Sequence, residues 1–209
     1  MPRHLLRALG LARCHLVVHD TAGLPALLLA CEAPELVAGV TLVSCVSASP
    51  TRDGEENITL RYPYPDRKVA HAQRWVLERL SYSHHHVDAA LVDACVGATA
   101  SPAWRVAEAD AGRLARWNSS ILRGRARVYA ASRNDGVPVP VQVVWGTHDP
   151  LGSTEHGLWL YRILAQGQPT AQFDLLNRAG ALPFRDEPEG FHQAVAAFAD
   201  LTLREGAPA

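Results

Sequence analysis

No stretch of this chain is apolar over the ~18–20 residues that a helix needs to cross a bilayer. The opening Met1-Pro2-Arg3-His4-Leu5-Leu6-Arg7 is too short and too interrupted to read as a signal peptide. A cytoplasmic protein with no membrane association is therefore expected. Neither sign of charge is in excess. The formal net charge is −1 over 209 residues, which argues against nucleic acid or an acidic membrane surface as a partner. Cysteine is scarce: Cys14, Cys31, Cys45 and Cys95 are widely spaced and form no CxxC pair. Small buried thiols are expected, not a disulfide framework. Internal repeats and low-complexity tracts are also missing.

What is present is ordinary globular composition, 48% apolar and 20% charged, in a chain long enough for one compact core. Cys14–Val18 is a short continuous apolar run, the pattern of a parallel strand buried on both faces. Leu24–Ala33 is rich in Leu and Ala and reads as a helix, and Val40–Cys45 reads as a second buried strand. That is a β-α-β unit with a right-handed crossover. Residues 46–67 read as an irregular excursion. Helical patterning returns over Lys68–Leu80, Val87–Val96 and Pro102–Leu122, with Trp75, Leu80, Leu91, Trp104 and Trp117 as expected packing residues. Arg133-Asn134-Asp135-Gly136 signals a turn. Val141–Trp145 and Ala171–Leu176 read as further strands, Glu155–Leu164 and Pro188–Leu201 as helices. In the last helix Phe191, Val195, Phe198 and Leu201 fall on one stripe. The class is α/β: a parallel sheet of about four strands with a helical insert over 47–135 dividing a core at 1–46 and 136–209.

Three segments carry chemistry. Leu16-Val17-Val18-His19-Asp20-Thr21-Ala22-Gly23 is a strand entering a sharp turn and a helix. Val143-Val144-Trp145-Gly146-Thr147-His148-Asp149-Pro150 is a strand running into an acidic loop. Asn177-Arg178-Ala179-Gly180-Ala181-Leu182-Pro183-Phe184 precedes the closing helix. Together they resemble the nucleophile, acid and base segments of the α/β-hydrolase superfamily. Asp20, preceded by His19, resembles the nucleophile of its epoxide hydrolase and haloalkane dehalogenase branch. The resemblance implies a partial α/β-hydrolase fold with the insert as a helical cap. It also implies attack by the Asp20 carboxylate on a small apolar molecule through an alkyl-enzyme ester. The Thr21 N–H would be the oxyanion donor, and Asp149 would orient a base. No cofactor or metal is implied. Taken alone, Asp20 reads first as a turn or helix-cap aspartate, and only the surrounding match makes it a nucleophile; the plain alternative for Asp149 is a loop cap.

The chain departs from the pattern at two places. Val18 stands where the family usually has Gly, and Ala181 stands where it has the catalytic His. Alanine moves no proton, so activity is expected to be impaired or lost. His148 and His19 neighbour the two aspartates; His148 is the better substitute, because His19 should point away from the tip. His84-His85-His86 reads as a solvated cluster and not a metal site. Tyr62, Tyr64 and Tyr82 are cap-packing residues or, by the resemblance, helpers that polarise a substrate oxygen. The family also has strands and a helix before the segment where this chain starts, so Cys14–Val18 is expected to form an open sheet edge that self-associates. A catalytically degenerate ligand- or protein-binding module, or a truncated fragment, is the alternative to an enzyme.

Overall fold

The computed structural model describes residues 2–50 and 66–205. In chain order these form α1 (Pro2–Ala8), β1 (Cys14–His19), α2 (Gly23–Glu32) and β2 (Val37–Val43). Helices α3 (Ala70–Leu80), α4 (Ala89–Thr99), α5 (Pro102–Ala109) and α6 (Arg113–Asn134) follow. The chain closes with β3 (Val141–Gly146), α7 (Thr154–Leu164), β4 (Ala171–Leu176), α8 (Pro183–Asp186) and α9 (Pro188–Glu205). All strand pairs are parallel, in the order β1-β2-β3-β4. Pairs such as Leu16 with Val40, Leu42 with Val143 and Val143 with Phe173 set the register. The α/β class and the four-strand parallel sheet are as expected from the sequence.

Burial follows position in the sheet. Every residue of β2 and β3 is buried, because helices cover both faces. Helices α2 and α7 pack on the sheet, and α6 packs on α2 and α7; α9 contacts β1, β2 and β4. Leu27, Leu42, Val128, Val143, Trp145, Leu160 and Leu164 form the centre of the core. The edge strands β1 and β4 are only half-buried. Among the described residues no helix is long and apolar enough to cross a membrane.

Two element boundaries and two packing positions differ from the sequence reading. Strand β2 runs over Val37–Val43 and not Val40–Cys45, because Ser44 takes a positive φ of 46° and turns the chain out of the sheet. The helix expected over Pro102–Leu122 is two helices. Asp110 ends the first in extended backbone, and its carboxylate accepts the Gly112 N–H at 3.1 Å and pairs with Arg116. That local alternative to helical hydrogen bonding breaks the helix. Trp104 is not a packing residue but lies at the surface. In α9 the stripe ends on Thr202, which is buried, while Leu201 is exposed.

Thr202 is buried because a polar line crosses the sheet beneath it. His15 Nδ1 lies 2.9 Å from Thr202 Oγ1, and His15 Nε2 lies 2.8 Å from Thr41 Oγ1. Thr41 donates to Gln142 Oε1 at 2.7 Å, and Gln142 Nε2 donates to Asp174 Oδ2 at 2.8 Å. One side chain from each strand is thus tied to the next and to α9. Burial pushes the His15 imidazole down to about 4, so it is neutral in this line.

Candidate active site

The C-terminal end of β1 turns sharply into α2. His19 ends the strand, Asp20–Ala22 make one turn of 3-10 helix, and Gly23 starts α2. Asp20 sits at the tip with φ +47°. Only a few per cent of non-glycine residues adopt a positive φ, and such a conformation costs about 1–3 kcal/mol where the surroundings hold it. The surroundings here are specific. The Ser47 hydroxyl donates to the Asp20 carbonyl at 3.0 Å. Cys45 lies beneath the turn, with Sγ 3.6 Å from the Val18 carbonyl. A Cβ on Gly23 would fall 2.6 Å from that sulfur, so only glycine fits where α2 begins. Asp20 and Thr21 line a cleft of about 740 Å³ together with Arg67, Trp104, Glu108 and Arg113.

Asp149 follows the end of β3. Its Oδ1 accepts the Leu151 N–H at 2.8 Å, so the carboxylate does cap its loop. Its Oδ2 is buried without a partner of regular geometry. Burial pushes the carboxyl up to about 7; contacts with Leu151, Ser44 and Gly152 offset part of this, and the Asp20 charge adds to it. The two aspartates of the resemblance are therefore close enough to repel electrostatically. The buried Ser44 hydroxyl, at the positive-φ exit of β2, also lacks a regular partner.

The histidines are distributed differently from expectation. His148 is exposed, with Nδ1 2.7 Å from Thr147 Oγ1 and its ring centroid 4.6 Å from that of Tyr82. It lines a second cleft, of about 620 Å³, with Trp75, Arg79, His84 and Asp149. His148 and Asp20 therefore face different clefts, and the structure does not bring them together. His19, expected to point away, donates from Nε2 to the Ala181 carbonyl at 2.7 Å and packs edge-on against Phe184, 5.3 Å between centroids. Ala181 itself is fully buried. Its N–H donates to the Leu80 carbonyl at 2.8 Å, and the flanking Gly180 leaves no room for a Cβ, which would meet that same oxygen at 2.4 Å.

The segment around Ala181 is held to the insert by a buried carboxylate with no signature in the sequence. Asp186 accepts from the backbone N–H groups of Ser83, Gly180 and Tyr82 at 2.9, 2.9 and 3.1 Å. It also accepts from His86 Nε2 at 3.0 Å. Arg185 donates to His86 Nδ1 and to the His86 carbonyl. His86 is thus part of an inter-element clamp and not of a solvated cluster; His84 and His85 are exposed. Asp88 caps α4 through the Leu91 N–H at 2.8 Å. Among the described residues no group of three or more His, Cys, Asp or Glu side chains could hold a metal ion. Tyr62 and Tyr64 lie outside the described residues; Tyr82 is an exposed contact of His148.

A parallel α/β sheet, a strained strand-to-helix turn at the end of β1 and an acid after β3 define a class. The chain belongs to the α/β hydrolase fold family, whose pattern matches residues 3–184. It is 26% identical over 215 residues to an uncharacterised protein of Mycobacterium tuberculosis, a match covering 96% of this chain and 60% of the relative. The chain thus spans about 60% of the length of the curated relatives it matches. Its fold is similar to that of a 2-hydroxy-6-oxo-6-phenylhexa-2,4-dienoate hydrolase from Rhodococcus sp. strain RHA1 (TM-score 0.68, 19% identity, covering 93% of this chain and 66% of that one). It is also similar to that of a meta-cleavage product hydrolase from Pseudomonas fluorescens IP01 (TM-score 0.67, 18% identity, covering 94% and 68%). At such identities the likeness is one of fold.

Proposed function

We propose that this chain is a hydrolase of a small, largely apolar molecule, with Asp20 as nucleophile, and that its turnover is stalled at the second step. The observation that carries the reading is the +47° φ of Asp20 at the end of the parallel edge strand β1. A bare turn aspartate needs no such strain. A nucleophile elbow needs it to lift the reactive side chain clear of the sheet. In the first step a carboxylate oxygen of Asp20 bonds to an electrophilic carbon and the leaving group departs with the bonding pair. The Thr21 N–H stabilises the oxyanion when the ester is later attacked. That later attack needs an activated water, and general base catalysis contributes ~10²–10⁴-fold. Ala181 supplies none, and His148 faces another cleft. The ester should therefore accumulate.

Intact-mass measurement after incubation with alkyl halide and epoxide panels tests this. The expected result is a covalent adduct on Asp20 that Asp20→Asn abolishes. Equal labelling of Asp20→Asn removes Asp20 from the role. A second reading, a ligand-binding module on a hydrolase fold, is favoured by the burial of Ala181 and the clamp at Asp186, which fill the base position with packing.

A further inference from the structure

The cleft at the elbow has an uneven charge balance. Its two acidic side chains outside the elbow are already paired: Glu108 with Lys68 at 2.7 Å, and Asp110 with Arg116. Its two guanidinium groups are not so committed. Arg67 Nε is buried with no hydrogen-bond partner, and the side chain's contact with Gln73 Oε1 is long, at 3.5 Å. Arg113, at the start of α6, makes no ion pair with a described carboxylate within 4.0 Å. A buried N–H donor left unmatched is costly, and a native one calls for an explanation. A guanidinium carries five donors in a planar fork that suits a carboxylate in two-point contact. Beside these cations lie the exposed face of Trp104 and the exposed Leu114. Arg67 and Arg113 thus border one cleft with an aromatic face, and that cleft also holds Asp20 and Thr21.

We infer that this cleft takes a small carboxylic acid, its carboxylate held by Arg67 with Arg113 and its apolar body against Trp104 and Leu114. The inference rests on the placement of Asp20 in the same cleft and deepens that reading. The molecule attacked is not wholly apolar but an apolar body with one anionic end. The reactive carbon lies between the two, toward the elbow. For a 2-halo acid the balance is simple: an Asp20 oxygen bonds to carbon 2, and halide leaves with the bonding pair. No oxidant, reductant or cofactor is needed.

The test separates binding from chemistry. Affinity of the full chain for 3-phenylpropanoate and for 3-phenylpropanamide is measured by calorimetry at low salt. The acid is expected to bind at least about tenfold more tightly, since the contact is charge-assisted, and the excess should shrink as salt is raised. Arg67→Gln and Arg113→Gln, checked for cooperative unfolding, should each bring the acid toward the amide. Asp20→Asn should keep the preference. Equal affinity for acid and amide overturns the inference, as does binding of neither at millimolar concentration, or a preference that survives in both arginine variants. Labelling by 2-bromo-3-phenylpropanoate is read in parallel. Acid preference without an adduct on Asp20 sinks the nucleophile and leaves the carboxylate site standing. An Asp20 adduct without acid preference does the reverse.

Discussion

The Nε2 of His19 lies 2.7 Å from the carbonyl oxygen of Ala181, so the residue before the tip of the turn after β1 is hydrogen-bonded to the residue that the resemblance sets at the base position. Two segments separated by 162 positions are joined there by one side chain. The contact uses the backbone of Ala181, which any residue would offer. Its persistence without a catalytic His is therefore no anomaly. His19→Phe removes the donor and leaves a carbonyl that His19 now satisfies. Chemical denaturation should show a loss of about 1–3 kcal/mol; an unchanged midpoint would mean that water replaces the contact without cost.

Replacing Ala181 by His should convert labelling into turnover. The site is fully buried, so the new ring must repack against Leu80 and His19, and overpacking costs about 1–3 kcal/mol. The expected outcome is a lower melting temperature together with decay of the Asp20 adduct, followed by mass spectrometry over time. A stable variant whose adduct persists as long as that of the unaltered chain would show that more than a base is missing.

Asp149 should weaken the fold at high pH. Its folded value is raised to about 7 from an ordinary 3.8. Between those values the folded state holds a proton that the unfolded state has released, so stability falls as pH rises from about 4 to about 7. Asp149→Asn keeps the acceptor for the Leu151 N–H and removes the buried charge. It should stabilise the protein at pH 8 and do so far less at pH 4, read from urea unfolding at both. Equal effects at the two pH values would show that Asp149 does not carry the shift.

His15 has the opposite slope. Its folded value is lowered to about 4 from 6.5 by burial. In that window the unfolded chain takes up a proton that the folded chain refuses, so stability is complete above about 6.5 and declines toward pH 4. His15→Gln should flatten this acid limb relative to the unaltered chain. If the difference between the two proteins is constant from pH 4 to pH 7, protonation of His15 is not the cause.

The clamp at Asp186 should be the most sensitive single site. Its side chain is fully buried and accepts from three backbone N–H groups and His86. Asp186→Ala leaves those donors unmatched and should cost about 3 kcal/mol or more, measured by equilibrium unfolding. The edge at β1 makes a separate expectation. Val17 is 49% exposed on an outer strand, so the chain should self-associate with concentration in analytical ultracentrifugation, and Val17→Lys should reduce this.

Much of this molecule is written in short-range pattern. The four strands are short segments rich in apolar residues, with single polar positions such as His15, Thr41, Gln142 and Asp174, separated by helical patterning. Local spacing therefore located them to within three residues. The Val-His-Asp-Thr-Ala-Gly and Trp-Gly-Thr-His-Asp-Pro segments marked the turns at the ends of β1 and β3 from their own residues, although Ser47, Cys45 and Ala179, distant in sequence, hold those turns in place. The break at Asp110 was missed because a helical stripe says nothing of a side chain that captures its own backbone two residues on.

What tertiary structure alone decided is which distant groups meet. Nothing in the spacing around His86 predicts a carboxylate 100 positions later, yet Asp186 removes it from the solvated cluster that three adjacent histidines suggest. The polar line through His15, Thr41, Gln142 and Asp174 exists because parallel register sets Thr41 beside Gln142, and the side chains of His15 and Asp174 reach one step along their strands to join them. His148 follows Thr147 into one cleft while Asp20 opens into another, a separation set by the turns and helices around each and not by either motif. Hydrophobic periodicity is a property of a segment and is legible in it. A hydrogen bond or an ion pair between segments is a property of the packed whole, because burial and direction exist only after the sheet and its helices have come together.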